Sequence, residues 1–165
     1  MMFEIDSRIN PELLPVAWLI GHWEGTGNGR ELGGDDFQFT VQADFTENGG
    51  NYLHYILQLF ETDEEGRPVQ SLGMETGFWR PKTAGDIEVI IAQPEGVVEV
   101  YLGRVDGAKI ELTTDVVART DTAEVPETGG HRLYGQVESD LLFTYDRGTE
   151  AHDLEPYIWA RLKRV

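Results

Sequence analysis

The stretch Gly21-His22-Trp23-Glu24-Gly25-Thr26-Gly27 predicts the first strand of a small closed β-barrel. Its three glycines leave Trp23 as the one large side chain on a nearly bare backbone. Glycine inside a strand marks a sharp bend or the close approach of another backbone, and barrels need such points to close. A buried indole there would fill the narrow end of the barrel. A glycine-rich phosphate loop is disfavoured, because Gly25, Gly27 and Gly29 lack the last interval of the dinucleotide fingerprint and no helical pattern follows.

The rest of the chain repeats strands and turns. Residues 35–47 alternate apolar and polar side chains, which is typical of a half-buried antiparallel strand. Asp106-Gly107 is a strong signal for a hairpin turn. The further predicted strands are 52–60, 72–79, 87–92, 97–105, 109–117, 131–137, 141–146 and 157–164. The pattern therefore predicts an all-β fold, a ten-stranded antiparallel up-and-down β-barrel.

Two segments are predicted outside the strands. Residues 11–20 form a short apolar lead-in whose two prolines allow only a brief helix, placed as a lid across one barrel end. Residues 118–130 contain Pro126 and two glycines and are predicted as a loop. A chain of 165 residues is most simply one domain, here 1–165, with 1–10 as an N-terminal extension.

Composition excludes several classes of function. The net charge of −17 argues against nucleic acid and against anionic membranes as partners. With no cysteine there is no disulfide framework, thiolate nucleophile or thiolate metal ligand. The N-terminal residues lack the basic and apolar regions of an export signal, and no segment approaches the length of a membrane span. We therefore expect a cytoplasmic protein.

Residues that could carry chemistry are few. None of the four histidines (His22, His54, His131 and His152) pairs with another at metal-ligand spacing, so no metal site is predicted. His22, His54 and His131 are interpreted as hydrogen-bonded residues of the strands and a loop edge. The three serines lie outside any nucleophile-elbow context. Local chemistry therefore favours a binding barrel over an enzyme.

Several segments together resemble the nitrobindin family. Residues 19–27 resemble its G-x-W-x-G-x-G signature, with Gly21, Trp23, Gly25 and Gly27 at the motif positions. Further matches are Glu75-Thr76-Gly77-Phe78-Trp79-Arg80-Pro81, residues 87–93, 96–100 and 132–135, and Leu154-Glu155-Pro156-Tyr157 with Ala160-Arg161-Leu162. The resemblance implies a barrel related to fatty-acid-binding proteins. It also implies ferric haem b, nitric oxide binding and isomerisation of peroxynitrite to nitrate.

The sequence departs from the family at two positions of the implied haem site. The family's last strand reads approximately L-x-P-H-L-x-A-x-L, and its histidine is the proximal iron ligand, whereas this chain has Tyr157 there. A family T-A-K-x-V segment corresponds to residues 122–126, so that Glu124 replaces a lysine associated with haem. A carboxylate would repel haem propionates. Tyr157, as a tyrosinate, and His152 are the weak candidates to hold iron in place of the histidine.

The direction of Tyr157 is left open by the sequence. In a regular strand Tyr157 shares a face with Trp159 and Arg161, opposite Ile158, and a bulge beside Pro156 would reverse this. Trp23 is expected in the core, stacked by Arg161 or Arg164.

Two main functions are carried forward. The first is a nitrobindin-like barrel without haem or catalysis, whose pocket is packed shut or takes a small apolar ligand. The alternative is a ferric haem protein, with Tyr157 or His152 on the iron, that isomerises peroxynitrite. An interaction module that uses the acidic outer surface is a third hypothesis.

Overall fold

Ten antiparallel strands close into one barrel in the computed structural model, which describes residues 3–31 and 34–165. Each strand pairs with its neighbours in sequence, and β1 pairs with β10 to close the barrel. This confirms the predicted architecture. The strands are β1 (Gly21–Arg30), β2 (Asp36–Thr46), β3 (Leu53–Thr62), β4 (Pro68–Pro81), β5 (Asp86–Gln93), β6 (Val97–Val105), β7 (Lys109–Arg119), β8 (Glu127–Val137), β9 (Asp140–Thr149) and β10 (Glu155–Arg164).

The alternating side chains of β2 face the core as the period of two predicts. Phe39, Val41, Ala43 and Phe45 are buried. Successive side chains of a strand point to opposite faces, so the residues between them lie on the outer surface of the barrel. The core is continuous through the barrel and includes the indoles of Trp23 and Trp79.

A 3₁₀ helix, Pro11–Leu19, closes one end of the barrel and buries Leu13, Val16, Ala17 and Leu19. Trp23 lies beneath it, and its Nε1 donates to the carbonyl oxygen of Leu19 at 2.8 Å. The Arg164 guanidinium carbon lies 4.2 Å from the centroid of the Trp23 ring. The lid and the stacking of Trp23 by a late arginine are confirmed.

The opposite end of the barrel is its mouth. Because the strands run up and down, the segments that follow every odd-numbered strand lie at this end. Their described residues are 31 with 34–35, 63–67, 94–96, 120–126 and 150–154. Two of these are acidic turns, and the last leads into β10 and Tyr157. Within the described ranges, no helix has both the length and the apolar character required to span a bilayer.

Strand β8 begins earlier than predicted, and the assignment of 118–130 to a loop is wrong at both ends. Ala118 is part of β7 and pairs with Val98 on β6, while Glu127 pairs with Thr149 and Gly130 with Arg147. Gly130 is not a turn residue: a Cβ there would lie 2.8 Å from the hydroxyl oxygen of Tyr101. The extension of β8 brings Glu127 inside the barrel, where it is fully buried.

Gly25 permits the closure between β1 and β10. A Cβ at this position would overlap the carbonyl oxygen of Arg161 on β10. We expect Gly25→Ala to lower the free energy of unfolding by about 2 kcal/mol, since overpacking against backbone forces the strands apart.

Urea unfolding of Gly25→Ala beside Gly73→Ala checks this prediction. A Cβ at Gly73 meets only a Leu59 methyl, at 3.9 Å. The control should change the free energy by less than about 0.5 kcal/mol. Equal effects of the two alanines would contradict the role of Gly25.

Candidate functional site

Charged side chains occupy the interior of the barrel on its mouth side. Arg132 on β8 shows no exposed surface, and neither does Glu99 on β6. Glu75 on β4 is also buried. A buried charge is tolerated only when it is paired and its remaining donors and acceptors are satisfied. These side chains, with their hydrogen-bond partners, form the interior polar cluster, whose members are Tyr55, Glu75, Gln93, Glu99, Tyr101, Glu127, Arg132, Tyr134, Tyr145 and Arg147.

Arg132 is the centre of this cluster. Its Nη1 donates to Glu75 Oε2 at 2.6 Å, and its Nη2 donates to Glu75 Oε1 at 3.2 Å and to Glu99 Oε1 at 2.9 Å. The Nε donates to the Tyr101 hydroxyl at 2.9 Å. Burial by itself lowers the pKa of Arg132, but the negative charge of Glu75, among others, raises that pKa well above its usual value. The guanidinium therefore stays charged and ties three strands together.

Glu99 is satisfied on both carboxylate oxygens. Oε1 accepts from Gln93 Nε2 at 2.9 Å as well as from Arg132. Oε2 accepts from the Tyr101 hydroxyl and from the Tyr145 hydroxyl, the latter at 2.9 Å. A carboxylate with this number of donors is well compensated for its burial.

Glu127 lies on the mouth side of the cluster and differs from Glu99. The Tyr145 hydroxyl is within hydrogen-bond distance of both Glu99 Oε2 and Glu127 Oε1. A phenol has one proton to donate, so a protonated Glu127 that donates to the Tyr145 oxygen gives the hydroxyl and both carboxyl groups a hydrogen bond there. The second oxygen of Glu127, Oε2, is buried and has no hydrogen-bond partner among the described residues. Burial, together with the charge of Glu99, raises the pKa of Glu127 to about 7. Arg147, whose Nε lies 3.5 Å from Glu127, partly offsets this rise.

Tyr157 points into the mouth because β10 is irregular there. Pro156 pairs with Asp146 and Ile158 with Tyr145, so Tyr157 is the extra residue of a β-bulge. The alternative in which Tyr157 shares the outer face with Trp159 is therefore wrong.

The Tyr157 ring is held between side chains of the barrel wall. The Arg147 guanidinium carbon lies 3.8 Å from its centroid, and the Tyr145 ring lies edge-on at 5.6 Å. Burial raises the pKa of Tyr157, and Arg147 only partly offsets this effect. Tyr157 is therefore a protonated phenol at neutral pH.

A pocket of about 790 Å³ opens at the mouth outside Tyr157. This volume lies within the range of roughly 300–1,000 Å³ that is usual for small-molecule sites. We call it the mouth pocket; its lining residues are Asn28, Glu31, Asp36, Phe37, Gln38, Leu59, Glu61, Thr62, Asp63, Glu64, Leu72 and Tyr157. Five of these residues are acids, and none is basic.

Beneath the mouth pocket lies a much smaller space of about 30 Å³, which we call the inner cavity. It shares Leu59, Leu72 and Tyr157 with the mouth pocket. Its polar walls are Glu75, Gln93, Glu95, Tyr145 and Arg147. A space of this size holds about one water-sized group.

Of the predicted site residues, the structure places only Tyr157 at the mouth pocket. Glu124 is exposed in the 120–126 segment, where it lines a separate pocket of about 590 Å³. His152 is exposed in the turn before β10. No described group of three or more histidines and acids has the arrangement needed to hold a metal ion.

The other histidines are hydrogen-bonded strand residues, as interpreted from the sequence. His22 contacts Asp44 and Glu24, and these hydrogen bonds raise its pKa. His54 contacts the Thr76 hydroxyl, and His131 contacts Glu111. His131 lies within β8 and not at a loop edge, because that strand begins at Glu127.

The interior polar cluster was missed by the sequence analysis, although strand parity contains a signal for it. Arg132 is two residues from the aromatic Tyr134, and Arg147 is two residues from Tyr145, so each shares a face with a core residue. The same period places Glu75 with Gly77 and Trp79. Charged residues on an inward face are unusual, and that conflict with hydrophobic patterning marks a functional region.

The comparisons with known proteins agree with this architecture. A family model described as "THAP4-like, heme-binding beta-barrel domain" matches residues 12–164. A protein from Cutibacterium acnes named "Ferric nitrobindin-like protein" is 56% identical over 165 residues, which cover 99% of each chain. A protein from Nocardioides sp. named "Peroxynitrite isomerase" is 40% identical over 164 residues, again 99% of each chain.

A solved structure has the same fold. The crystal structure of Rv2717c from M. tuberculosis superposes with a TM-score of 0.84 and 26% sequence identity. The match covers 95% of this chain and 99% of that one. The similarity therefore extends over nearly the whole chain in both sequence and structure.

Proposed function

The chain belongs to the family of THAP4-like haem-binding β-barrel domains, and on that premise we propose that it is a nitrobindin-like barrel that binds a small organic ligand in place of haem. The observation that carries the proposal is the filled space behind the mouth. Tyr157 and Arg147 stack there at 3.8 Å and leave an inner cavity of about 30 Å³.

The iron ligand is the first argument. By the resemblance described above, Tyr157 stands where the nitrobindin family has its proximal histidine. A phenol binds iron only after it loses its proton, from an unperturbed pKa of about 10. Burial raises the pKa of Tyr157 further. No histidine lines the mouth pocket in the part of the chain that the structure describes.

Charge is the second argument. Glu31, Glu61 and Glu64 line the mouth pocket and form no ion pair with the described residues. Haem carries two propionates, and carboxylates at the rim would repel them. Glu124, which by the resemblance replaces a lysine, adds no compensating positive charge at this end of the barrel.

A second candidate function is a ferric haem protein that isomerises peroxynitrite. The name of the 40% identical Nocardioides relative favours it. The Arg147 guanidinium also lowers the pKa of Tyr157, although burial outweighs it. In this alternative Tyr157 would hold the iron as a tyrosinate.

Titration with ferric haem tests the proposal. The purified protein should give no saturable Soret band, and Tyr157→Phe should behave identically. The spectra of wild type and of Tyr157→Phe, recorded over the same haem concentrations, are the measurement. A sharp, stoichiometric band that disappears in Tyr157→Phe would establish the haem protein instead.

Tyr157→His separates the two causes that we assign to the loss of haem. A gain of haem binding would mean that the imidazole alone is lacking. We expect little gain, because Arg147 and Tyr145 still fill the space behind the new side chain.

The organisation as one domain over 1–165 and the cytoplasmic location remain predictions.

A further inference from the structure

We infer that the ligand of the mouth pocket is an amphipathic organic cation, a protonated amine on a small apolar body. The inference rests on the proposed function, because haem in the mouth would occupy the same space. The sequence predicts a small apolar ligand. An apolar ligand suits the apolar floor of the pocket, whereas the acidic rim requires a positive charge as well.

The rim supplies negative charge that the protein does not neutralise. Glu31, Glu61 and Glu64 face the mouth pocket without an ion-pair partner among the described residues. Asp36 and Asp63, by contrast, are paired with Arg30 and Arg67. The charge of Glu31 contributes to the raised pKa of Tyr157, so the field of the rim extends to the floor of the pocket.

A buried acceptor without a donor lies directly beneath. Gln93 is 8% exposed and lines the inner cavity, and its Nε2 donates to Glu99 at 2.9 Å. Its carbonyl oxygen Oε1 is buried and accepts no hydrogen bond from any described residue. A buried acceptor left unpaired is costly, so a ligand that offers an N–H there would gain binding energy.

The floor of the pocket suits an apolar body next to a cation. Phe37 and Tyr157 present aromatic rings whose centroids are 6.4 Å apart, and Leu59 and Leu72 complete the floor. An ammonium group over an aromatic face is attracted by the ring quadrupole. Acidic rim, aromatic floor and free carbonyl all select the same ligand class.

Arg147 is the basic residue that lines the inner cavity, and it would favour an anion. Its charge is opposed by the carboxylates of Glu75 and Glu95 in the same wall. An anion would also have to pass the rim carboxylates. The balance of charge along the path therefore favours the cation.

Three probes with the same alkyl chain test the inference: n-octylamine, 1-octanol and octanoate, measured by isothermal titration calorimetry at pH 7.5. Octylamine should bind at least about tenfold more tightly than octanol, and octanoate should bind more weakly than either. Raising the salt to about 1 M, where the Debye length is about 3 Å, should weaken octylamine and leave octanol unchanged. Octanoate or octanol binding as tightly as octylamine would overturn the inference.

The double variant Glu31→Gln/Glu61→Gln should weaken the binding of octylamine about tenfold, as expected for the loss of two exposed charges. Glu4→Gln/Glu12→Gln makes the same change in net charge at residues that do not line the mouth pocket, and it should have no effect. Equal effects of the two double variants would overturn the site. If instead the proposed function is wrong, the protein will give a saturable Soret band with ferric haem, which is a separate measurement from the binding of these probes.

Discussion

Arg132→Met is expected to lower the free energy of unfolding by about 3–5 kcal/mol, the usual cost of breaking a buried ion pair from one side. The substitution keeps much of the side-chain volume but removes the donors to Glu75 and Glu99. Both carboxylates then stay buried. Glu75 loses its bidentate partner, and Glu99 keeps only three of its four hydrogen-bond donors. The loss therefore reflects the desolvation of two negative charges.

Two further variants separate this explanation from a simple packing defect. Arg104→Met removes an exposed guanidinium paired with Asp86 at 2.6 Å, and it should cost less than about 1 kcal/mol. The triple variant Arg132→Met/Glu75→Gln/Glu99→Gln carries no unpaired charge, so it should recover much of the loss. Guanidinium chloride unfolding at pH 7 gives all three values. A triple variant no more stable than Arg132→Met would contradict the electrostatic explanation.

The interior polar cluster is connected to the mouth pocket by a continuous stack of side chains. Arg132, Tyr145, Arg147 and Tyr157 stack in alternation, with guanidinium-to-ring distances of 3.8 Å at both Tyr145 and Tyr157. This stack fills the barrel from its middle to its mouth. A ligand is therefore confined to the mouth pocket and to the inner cavity of about 30 Å³ beneath it. The rim carboxylates decide which charge this ligand carries.

The barrel was predictable because its strands and turns are specified by patterns of residues that are close together in the sequence. Alternation over 35–47 follows from burial on one face of a strand, and Asp106-Gly107 requires a tight turn. Gly129 and Gly130 were read as loop residues because glycine serves both turns and close approaches. Only the Tyr101 hydroxyl, which comes from a strand distant in sequence, shows that Gly130 is a site of close approach and not a turn.

The site was less predictable because it depends on contacts between distant strands. Tyr157 could be named from its place in the resemblance, but its direction depends on a one-residue bulge against β9. Arg161, four residues after Tyr157, is not the cation beside it, because its guanidinium pairs with Asp140 at 2.6 Å on the outside. Arg147 takes that place because β9 is hydrogen-bonded to β10, a pairing that no local pattern specifies.

Glu127→Gln should stabilise the protein above pH 7 and change its stability little near pH 4.5. The pKa of Glu127 is raised from 4.5 to about 7 in the folded state. Between these values the folded state holds a proton that the unfolded state has released, so the free energy of unfolding falls as pH rises. The loss is complete above about pH 7 and amounts to roughly 3 kcal/mol, at 1.36 kcal/mol per pKa unit. Glutamine can donate an amide N–H to the Tyr145 oxygen, as protonated Glu127 does, and it has no proton to lose in this pH range.

Urea unfolding of the wild type and Glu127→Gln at intervals from pH 4.5 to 8.5 measures the difference between their free energies. That difference should grow by about 3 kcal/mol toward high pH. Other groups contribute in a separate window: the lowered pKa values of Asp63 and Asp140, hydrogen-bonded to Arg67 and Arg161 respectively, give stability that is lost only as pH falls below about 4. Glu12→Gln removes an exposed carboxylate and should give a constant difference. A constant difference for Glu127→Gln as well would mean that Glu127 is ionised in the fold, and that the Tyr145 hydroxyl cannot satisfy both carboxylates.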